Sequence, residues 1–333
     1  MTPSLIFKFN CPMFERTAYY LVAAILTVLD GLFGVYFSLG VSPNTQLPDS
    51  DAWSDEEIIH ASKTAPYLEN SDNKLVQISK DTVVKFCHRW DATASEGFAM
   101  ELVRKQTRIP VAHMRRTIRH SHRSGEGSIV MDLIPNSRRL LDAWPSLSFW
   151  RRLKVILTMR LYLKQIRRIQ HPSHNIPGPI TSTPRRCHGL QFGFDPKGPF
   201  PTISALETHF RNVHSAATFQ ASLCHIASPK YGPLDSSAFS SLVFTHNDLN
   251  MRNILLDENH VLWVVDWGFA GFYPPWFEYL AMLYASQKDQ NPESWQRSIK
   301  YMAEPAFGVE EWMKELGYGF YDWPRRARAD PKH

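Results

Sequence analysis

The stretch Phe244-Thr245-His246-Asn247-Asp248-Leu249-Asn250-Met251-Arg252-Asn253 constrains this chain more than any other. It has the form H-x-D-L-x-x-x-N. The apolar triplet Ile254-Leu255-Leu256 follows, then the polar turn Asp257-Glu258-Asn259-His260. A second apolar run, Val261-Leu262-Trp263-Val264-Val265, ends in Asp266-Trp267-Gly268. Short apolar runs bounded by turn residues read as strands. The segment therefore predicts a polar loop, a strand, a tight turn and a returning strand. Such a hairpin brings Asn253 and Asp266 together at one end.

Phosphoryl transfer uses groups placed this way, because its transition state is stabilised mainly by positioning and by metal ions on the phosphate oxygens. Mg²⁺ is a hard cation that takes oxygen ligands, often one or two side chains beside phosphates and water. Asn253 and Asp266 are the candidate metal ligands. Asp248 is the candidate catalytic residue, accepting the proton of an acceptor hydroxyl. His246 joins it in the catalytic loop, with bracing as its expected part.

The expected nucleotide-binding partners lie upstream in order. Lys74 to Ile78 and Thr82 to Phe86 read as two strands around Ser79-Lys80-Asp81. Lys85, on the second strand, is placed to meet the α- and β-phosphates of ATP. A helix is expected from about Ala94 to Gln106, with Phe98, Ala99, Leu102 and Val103 as its apolar face. Glu96 opens that helix and is the expected partner of Lys85; Glu101, on another face, is the alternative. Ser128 to Pro135 reads as a strand running into a connector. Met131, the Asp132 carbonyl and the Ile134 amide are the candidate adenine contacts.

On these motifs the chain resembles the aminoglycoside phosphotransferase and choline kinase-like group, which shares the protein kinase fold, and within it the fungal phosphotransferase-enzyme branch. The matching stretches are Val83 to Phe86, Glu96 to Met100, Thr107 to Val111, Ile129 to Asp132, Gly198 to Phe200, Phe244 to Asn253, and Asp266 through Trp276-Phe277-Glu278-Tyr279. The resemblance covers roughly residues 55 to 320. The resemblance implies the same roles for Lys85, Glu96, Asp248, Asn253 and Asp266. It also implies that Glu278, at a helix start, supports the catalytic loop. Three departures stand out. No glycine-rich loop precedes Lys85, and Gly125-Glu126-Gly127 lies after it, as a hairpin turn. Gly268 stands where the branch often has an acid. Residues 1 to 45 have no counterpart.

The N-terminal extension carries the apolar run Thr17 to Leu39, long enough for a bilayer core of about 30 Å. Asp30 sits near its centre, where a charge costs about 2.5–3.5 kcal/mol. The trailing flank is acidic through Asp49, Asp51, Asp55, Glu56 and Glu57. Two readings stay open: a membrane anchor through residues 17–39, or a non-spanning appendage. Val41 to Ser54 reads as a linker.

The chain has 333 residues, 44% of them hydrophobic and 21% charged, with a net charge of +5. These values exclude a disordered or fibrous chain and are too mildly basic to suggest nucleic acid. Four scattered cysteines, Cys11, Cys87, Cys187 and Cys224, make no disulfide or metal pattern. The Arg115–Arg123 cluster reads as solvated. On the helix that begins near Phe149, the residues Phe149, Trp150, Leu153, Ile156 and Leu157 form a stripe. Arg160 and Lys164 interrupt it, so its far end is expected in solvent. His171 to Gly198 reads as a long loop shaping the acceptor pocket, and Thr202 to Gln220 as a helix. Trp276, Trp295, Trp312 and Trp323 are either core or an aromatic box for a quaternary ammonium.

The expected fold is α+β and bilobal, with the extension at residues 1–45, a small β-rich N-lobe at 46–137 and a larger, mainly helical C-lobe at 138–333. The expected activity is ATP- and Mg²⁺-dependent phosphorylation of a small-molecule hydroxyl acceptor in the cytoplasm. The alternatives are an enzyme acting on protein and a non-catalytic nucleotide-binding scaffold. After Gly268 the chain reaches Tyr273-Pro274-Pro275 at once, with no long activation segment and no Ala-Pro-Glu signature, which favours the small acceptor.

Overall fold

The structure, a computed structural model, describes residues 12–38, 52–68, 75–120, 125–172, 174–181, 184–193, 195–225 and 228–316. The first helix, α1, spans Pro12–Ser38. Most of the expected linker, and Trp323, lie outside the described residues. Helix α2 (Asp55–Thr64) opens with a capping box: Ser54 Oγ accepts from the Glu57 amide, and Glu57 Oε2 accepts from the Ser54 amide at 2.7 Å.

Four strands and one helix then build an antiparallel layer. They are β1 (Leu75–Gln77), β2 (Thr82–Cys87), α3 (Trp90–Gln106), β3 (Met114–Arg119) and β4 (Gly127–Asp132). The strand order is β1-β2-β4-β3. Side chains alternate across a sheet. One face presents Val76, Val84, Ile118 and Val130 to Ile58 of α2. Lys85 and Ile129, paired in register, belong to the other face, which α3 covers. Helix α3 begins at Trp90, a turn earlier than expected, because its N-cap, Arg89, carries no side-chain cap to mark it. Glu96 accordingly lies within the helix rather than at its opening. The basic cluster is not simply solvated either. Arg115 is buried on β3, its guanidinium held by Asp132 and the Thr82 hydroxyl, and Arg116 pairs with Asp55.

The second half runs β5 (Arg138–Arg139), α4 (Leu140–Ala143), α5 (Phe149–Ile166), β6 (Gly178–Pro179), α6 (Ile203–Leu223) and β7 (Val243–Thr245). The expected hairpin follows as β8 (Ile254–Leu256) and β9 (Leu262–Val264), with Ile254 opposite Val264. Next come β10 (Gly271–Tyr273), α7 (Trp276–Lys288), α8 (Glu293–Met302) and α9 (Phe307–Glu315). Two small sheets, β6-β10-β7 and β5-β8-β9, frame the loop between β7 and β8. A continuous core joins Trp144, Phe210, Phe244, Trp267, Phe277 and Trp295. Trp276, Trp295 and Trp312 are buried in it, so these three are core and form no open aromatic box.

Two expectations about α5 are corrected: the first two residues of the stripe, and the place of its basic end. Phe149 and Trp150 are 71% and 74% exposed, while Val155, Leu157, Met159, Tyr162, Leu163 and Ile166 carry the buried face. Arg160 is not in solvent. Its guanidinium and the Lys164 ammonium both grip Asp30 of α1, and Arg160 also donates to the Tyr301 carbonyl at 2.8 Å. Asp30 cannot be recognised as a docking residue from sequence, because its partners lie 130 positions or more away. Tyr19 stacks on Tyr301, and Arg16 pairs with Glu311. Among the described residues, no helix is long and apolar enough to cross a membrane.

Removing one partner of a buried ion pair leaves the other charge uncompensated, at about 3–5 kcal/mol. Asp30→Ala is therefore expected to release α1 from α5. Hydrogen exchange would show faster exchange across α1 with the β8–β9 hairpin unchanged; equal α1 protection in both proteins would contradict the docking role.

Candidate active site

The site is assembled across the two halves by one ammonium. Lys85 Nζ donates to Glu96 Oε1 and to Asp266 Oδ1, each at 2.7 Å. Burial alone would lower the affinity of Lys85 for its proton, but the two carboxylates outweigh it and hold the lysine charged. Burial raises the Glu96 carboxyl against the pull of Lys85, and the Trp267 amide donates to it. Glu101, the alternative partner, instead pairs with Lys105 on the exposed side of α3. Asp266 follows β9 in the left-handed region at φ 63°, a conformation that Asp and Asn tolerate better than most residues. At Gly268 a Cβ would stand 3.4 Å from Glu96 Oε2 and 3.5 Å from Asp266 Oδ1. An acid there would add a third carboxylate beside these two.

The loop between β7 and β8 faces this cluster. His246 is fully buried and uses both ring nitrogens. Nδ1 accepts from the Asp248 amide at 3.3 Å, which leaves Nε2 to donate to the Val265 carbonyl at 3.0 Å. Burial drops its pKa to about 4, so the ring is a neutral brace between loop and hairpin. Asp248 receives Arg252 Nη2 on Oδ1 at 2.6 Å and Asn253 Nδ2 on Oδ2 at 3.1 Å. Burial raises its carboxyl, and Arg252 opposes that shift. Arg252 also reaches Asp289 at the end of α7, where Asn250 Nδ2 donates as well. Arg252 and Asp289 escaped the sequence reading. Arg252 was detectable from its place four residues after Asp248; Asp289 carried no signal.

Glu278 lies in the first turn of α7 beneath the loop. Its Oε2 accepts from the His246 amide at 2.6 Å and the Asn247 amide at 3.4 Å. Asn247 is at φ 63°, so these bonds hold an otherwise unfavourable turn. Oε1 is buried and has no hydrogen-bond partner among the described residues, and burial pushes the carboxyl up to about 7. Asn247 Nδ2 donates to the His188 carbonyl at 2.7 Å. That bond ties the 171–198 loop to the site, and His188 stacks on Phe269 beside it.

Asn253 turns its amide nitrogen to Asp248, and among the described residues its Oδ1 accepts no hydrogen bond. With the half-exposed Asp266 carboxylate it offers the oxygen donors that suit Mg²⁺. The adenine candidates sit on β4 and just past it. Met131 pairs with Val83 across the sheet, and the Asp132 side chain is taken by Arg115. The Ile134 amide has no protein acceptor among the described residues. The segment before β1, where a glycine-rich loop was found missing, lies mostly outside the described residues.

The sequence pattern of the phosphotransferase enzyme family matches residues 232–316, the stretch holding the catalytic loop, the hairpin and Glu278. No curated protein sequence matches the chain. Among solved structures, APH(2″)-IIa in complex with gentamicin is similar, with a TM-score of 0.50 at 14% identity over 83% of this chain and 93% of that one. The ADP-bound aminoglycoside phosphotransferase APH(2″)-Ib gives 0.48 at 14% identity, over 82% and 92%. The choline kinase LicA from Streptococcus pneumoniae gives 0.41 at 13%, over 84% and 94%. The resemblance read from the sequence and the family pattern name the same group, and the bilobal fold is shared with APH(2″)-IIa.

Between the ordinary carboxylate value of 4.5 and about 7, folded Glu278 keeps a proton that the unfolded chain has released. Its contribution to stability therefore falls as pH rises through that window. Glu278→Gln, which keeps the acceptor oxygen, is expected to gain on the wild type there by up to about 1.4 kcal/mol per pH unit. Denaturant titrations at a series of pH values test this. A stability difference that does not move with pH would mean that the carboxyl is ionised throughout.

Proposed function

We propose that this protein is a phosphotransferase that moves the γ-phosphate of ATP to a hydroxyl of a small molecule. What supports the reading is the convergence of Lys85 and Glu96 from the sheet half on Asp266, whose hairpin also carries Asn253 and, through it, Asp248, the Val265 amide donating to the Asn253 carbonyl. The family match over the same catalytic stretch supports it as well.

Lys85, held charged and fixed by Glu96, binds the α- and β-phosphates. Met131, the Asp132 carbonyl and the Ile134 amide meet the adenine. Asn253 Oδ1 and Asp266 would hold Mg²⁺, which when bound would neutralise phosphate charge. Asp248, aimed by Arg252 and Asn253, accepts the hydrogen bond of the acceptor hydroxyl and takes its proton as that oxygen bonds to phosphorus and ADP leaves. His246 and Glu278 keep the loop in place. Cys87, Cys187 and Cys224 are free thiols; with ATP as co-substrate they favour a cytoplasmic setting.

The acceptor side argues for a small molecule. From Asp266 the chain passes through β10 and Pro274-Pro275 directly into α7. A peptide substrate would need a docking segment there. Acidic and basic side chains nearly balance after Tyr273, so a polycationic acceptor such as the neighbour's gentamicin is not carried over.

Ligand that binds only the folded state raises stability by mass action, about 2.7 kcal/mol at a hundredfold excess over Kd. Thermal melts of the full chain should rise with ATP plus Mg²⁺. Asp266→Asn, which tolerates the left-handed backbone, should lose the Mg²⁺-dependent part. Lys85→Met should lose most of the rise. No rise in the wild type, given a cooperative melt, would contradict the nucleotide site.

A further inference from the structure

Residues 184–193 run past the catalytic loop, and the backbone decides which of their side chains share a face. Cys187 pairs antiparallel with Lys197 through two backbone bonds, at 2.8 and 3.1 Å. Side chains alternate along extended chain of this kind. Cys187 is fully buried, so Arg186 and His188 belong to the opposite face. His188 shows where that face lies. Its ring stacks on Phe269, at 5.4 Å between centroids and 19° between planes. Phe269 follows Asp266 by three residues. The His188 carbonyl accepts from Asn247 Nδ2 at 2.7 Å, one residue before Asp248. Gly189 permits this close approach: at its φ of 134° a Cβ would stand 2.7 Å from Asn247 Nδ2. Arg186, itself exposed, is thereby carried to the mouth of the site.

A second guanidinium comes from the sheet half. Arg89, also exposed, is the N-cap of α3, and its carbonyl accepts from the Thr93 amide and hydroxyl. Burial lowers the affinity of His188 for its proton, and the charges of Arg89 and Arg186 lower it further. Arg89 acts on Arg185 in the same sense. Two cations from separate parts of the chain thus flank one neutral imidazole. No acid occurs in the sequence from Pro184 to Gly193 or from Gly268 to Tyr273. The carboxylates deeper in the site are engaged, Glu96 and Asp266 with Lys85 and Asp248 with Arg252. Clustered positive charge at a cleft mouth draws in anions, and the planar fork of a guanidinium suits carboxylate and phosphate oxygens.

We infer, on the basis of the reaction proposed above, that the acceptor is a hydroxylated anion whose carboxylate or phosphate binds between Arg186 and Arg89, beside the His188–Phe269 pair, while its hydroxyl reaches Asp248. Arg186 is then a specificity-determining residue. The anion is gripped from both halves of the molecule, and the same two cations repel a polyamine.

Phosphorus NMR of the full chain with ATP and Mg²⁺ tests this, with four acceptor pools run separately: neutral polyols, amino alcohols, hydroxycarboxylates and sugar monophosphates. New ester is expected from an anionic pool and not from the amino alcohols, and the pool that reacts tells carboxylate from phosphate. Arg186→Glu should raise KM for the reacting compound about tenfold or more, with a smaller effect on kcat, because a charge-assisted contact is lost. Arg186→Lys should keep part of that affinity. Arg186→Glu should retain the rise in melting temperature given by ATP and Mg²⁺. Melts in Mg²⁺ and ADP give a readout without turnover: one anionic pool should add a further rise that Arg186→Glu removes. Faster ester formation from the polyols or amino alcohols, an unchanged KM in Arg186→Glu, or no further rise from either anionic pool would overturn the inference and leave the reaction standing. So would loss of the ATP-dependent rise in Arg186→Glu, which would assign Arg186 to the nucleotide. A wild type with no ATP-dependent rise would overturn the reaction and this inference together.

Discussion

The contact of Lys85 with both Glu96 and Asp266 is the interaction on which the site depends. A buried ammonium is costly unless its charge is met, and two carboxylates meet it from separate parts of the chain. Glu96 comes from α3, folded against the four-stranded sheet. Asp266 comes from the end of the β8–β9 hairpin, some 180 residues later in the chain. The triad thus sets the spacing between the nucleotide side and the catalytic side. Its second carboxylate is also a candidate metal ligand, so Mg²⁺ and Lys85 would share Asp266 when nucleotide binds.

The opposed loop is held by a different economy. His246, neutral and buried, ties the loop to the hairpin through Val265, and Glu278 ties its backbone to α7. Asn247 carries the strained turn and reaches the His188 carbonyl. Asp248 is thereby left with side-chain partners only, Arg252 and Asn253, which aim it without occupying every lone pair. Bracing falls to buried residues held by backbone groups, and proton acceptance to a carboxylate held only by side chains. Arg252 in turn spans to Asp289, so the end of α7 contributes to where the catalytic carboxylate points.

Most of this arrangement was legible in sequence because it is local. The loop–strand–turn–strand order is dictated by apolar runs and turn residues within two dozen positions, and Lys85 stands on a strand whose pattern is plain. What was not legible depends on distant contacts. Arg115 looked solvated until β3 placed it against Asp132. Arg160 and Asp30 each looked like flaws in an apolar stripe, and they are partners across 130 positions. The start of α3 was missed for want of a capping side chain, and Phe149 and Trp150, read as part of a stripe whose Leu157 is buried, are exposed. In each case a charge or an aromatic ring was judged by its neighbours in sequence, whereas burial is decided by neighbours in space.

The central claim is that Asp248 delivers a hydroxyl to the γ-phosphate. Phosphorus NMR of the full chain with ATP, Mg²⁺ and pooled small polyols, amino alcohols, hydroxycarboxylates and sugar monophosphates tests it directly. The account predicts a phosphomonoester resonance that grows in step with ADP and is absent with Asp248→Asn, which keeps the loop's hydrogen bonds. Bound ATP that yields neither ester nor ADP with any pool, or an ester formed equally by Asp248→Asn, would contradict it.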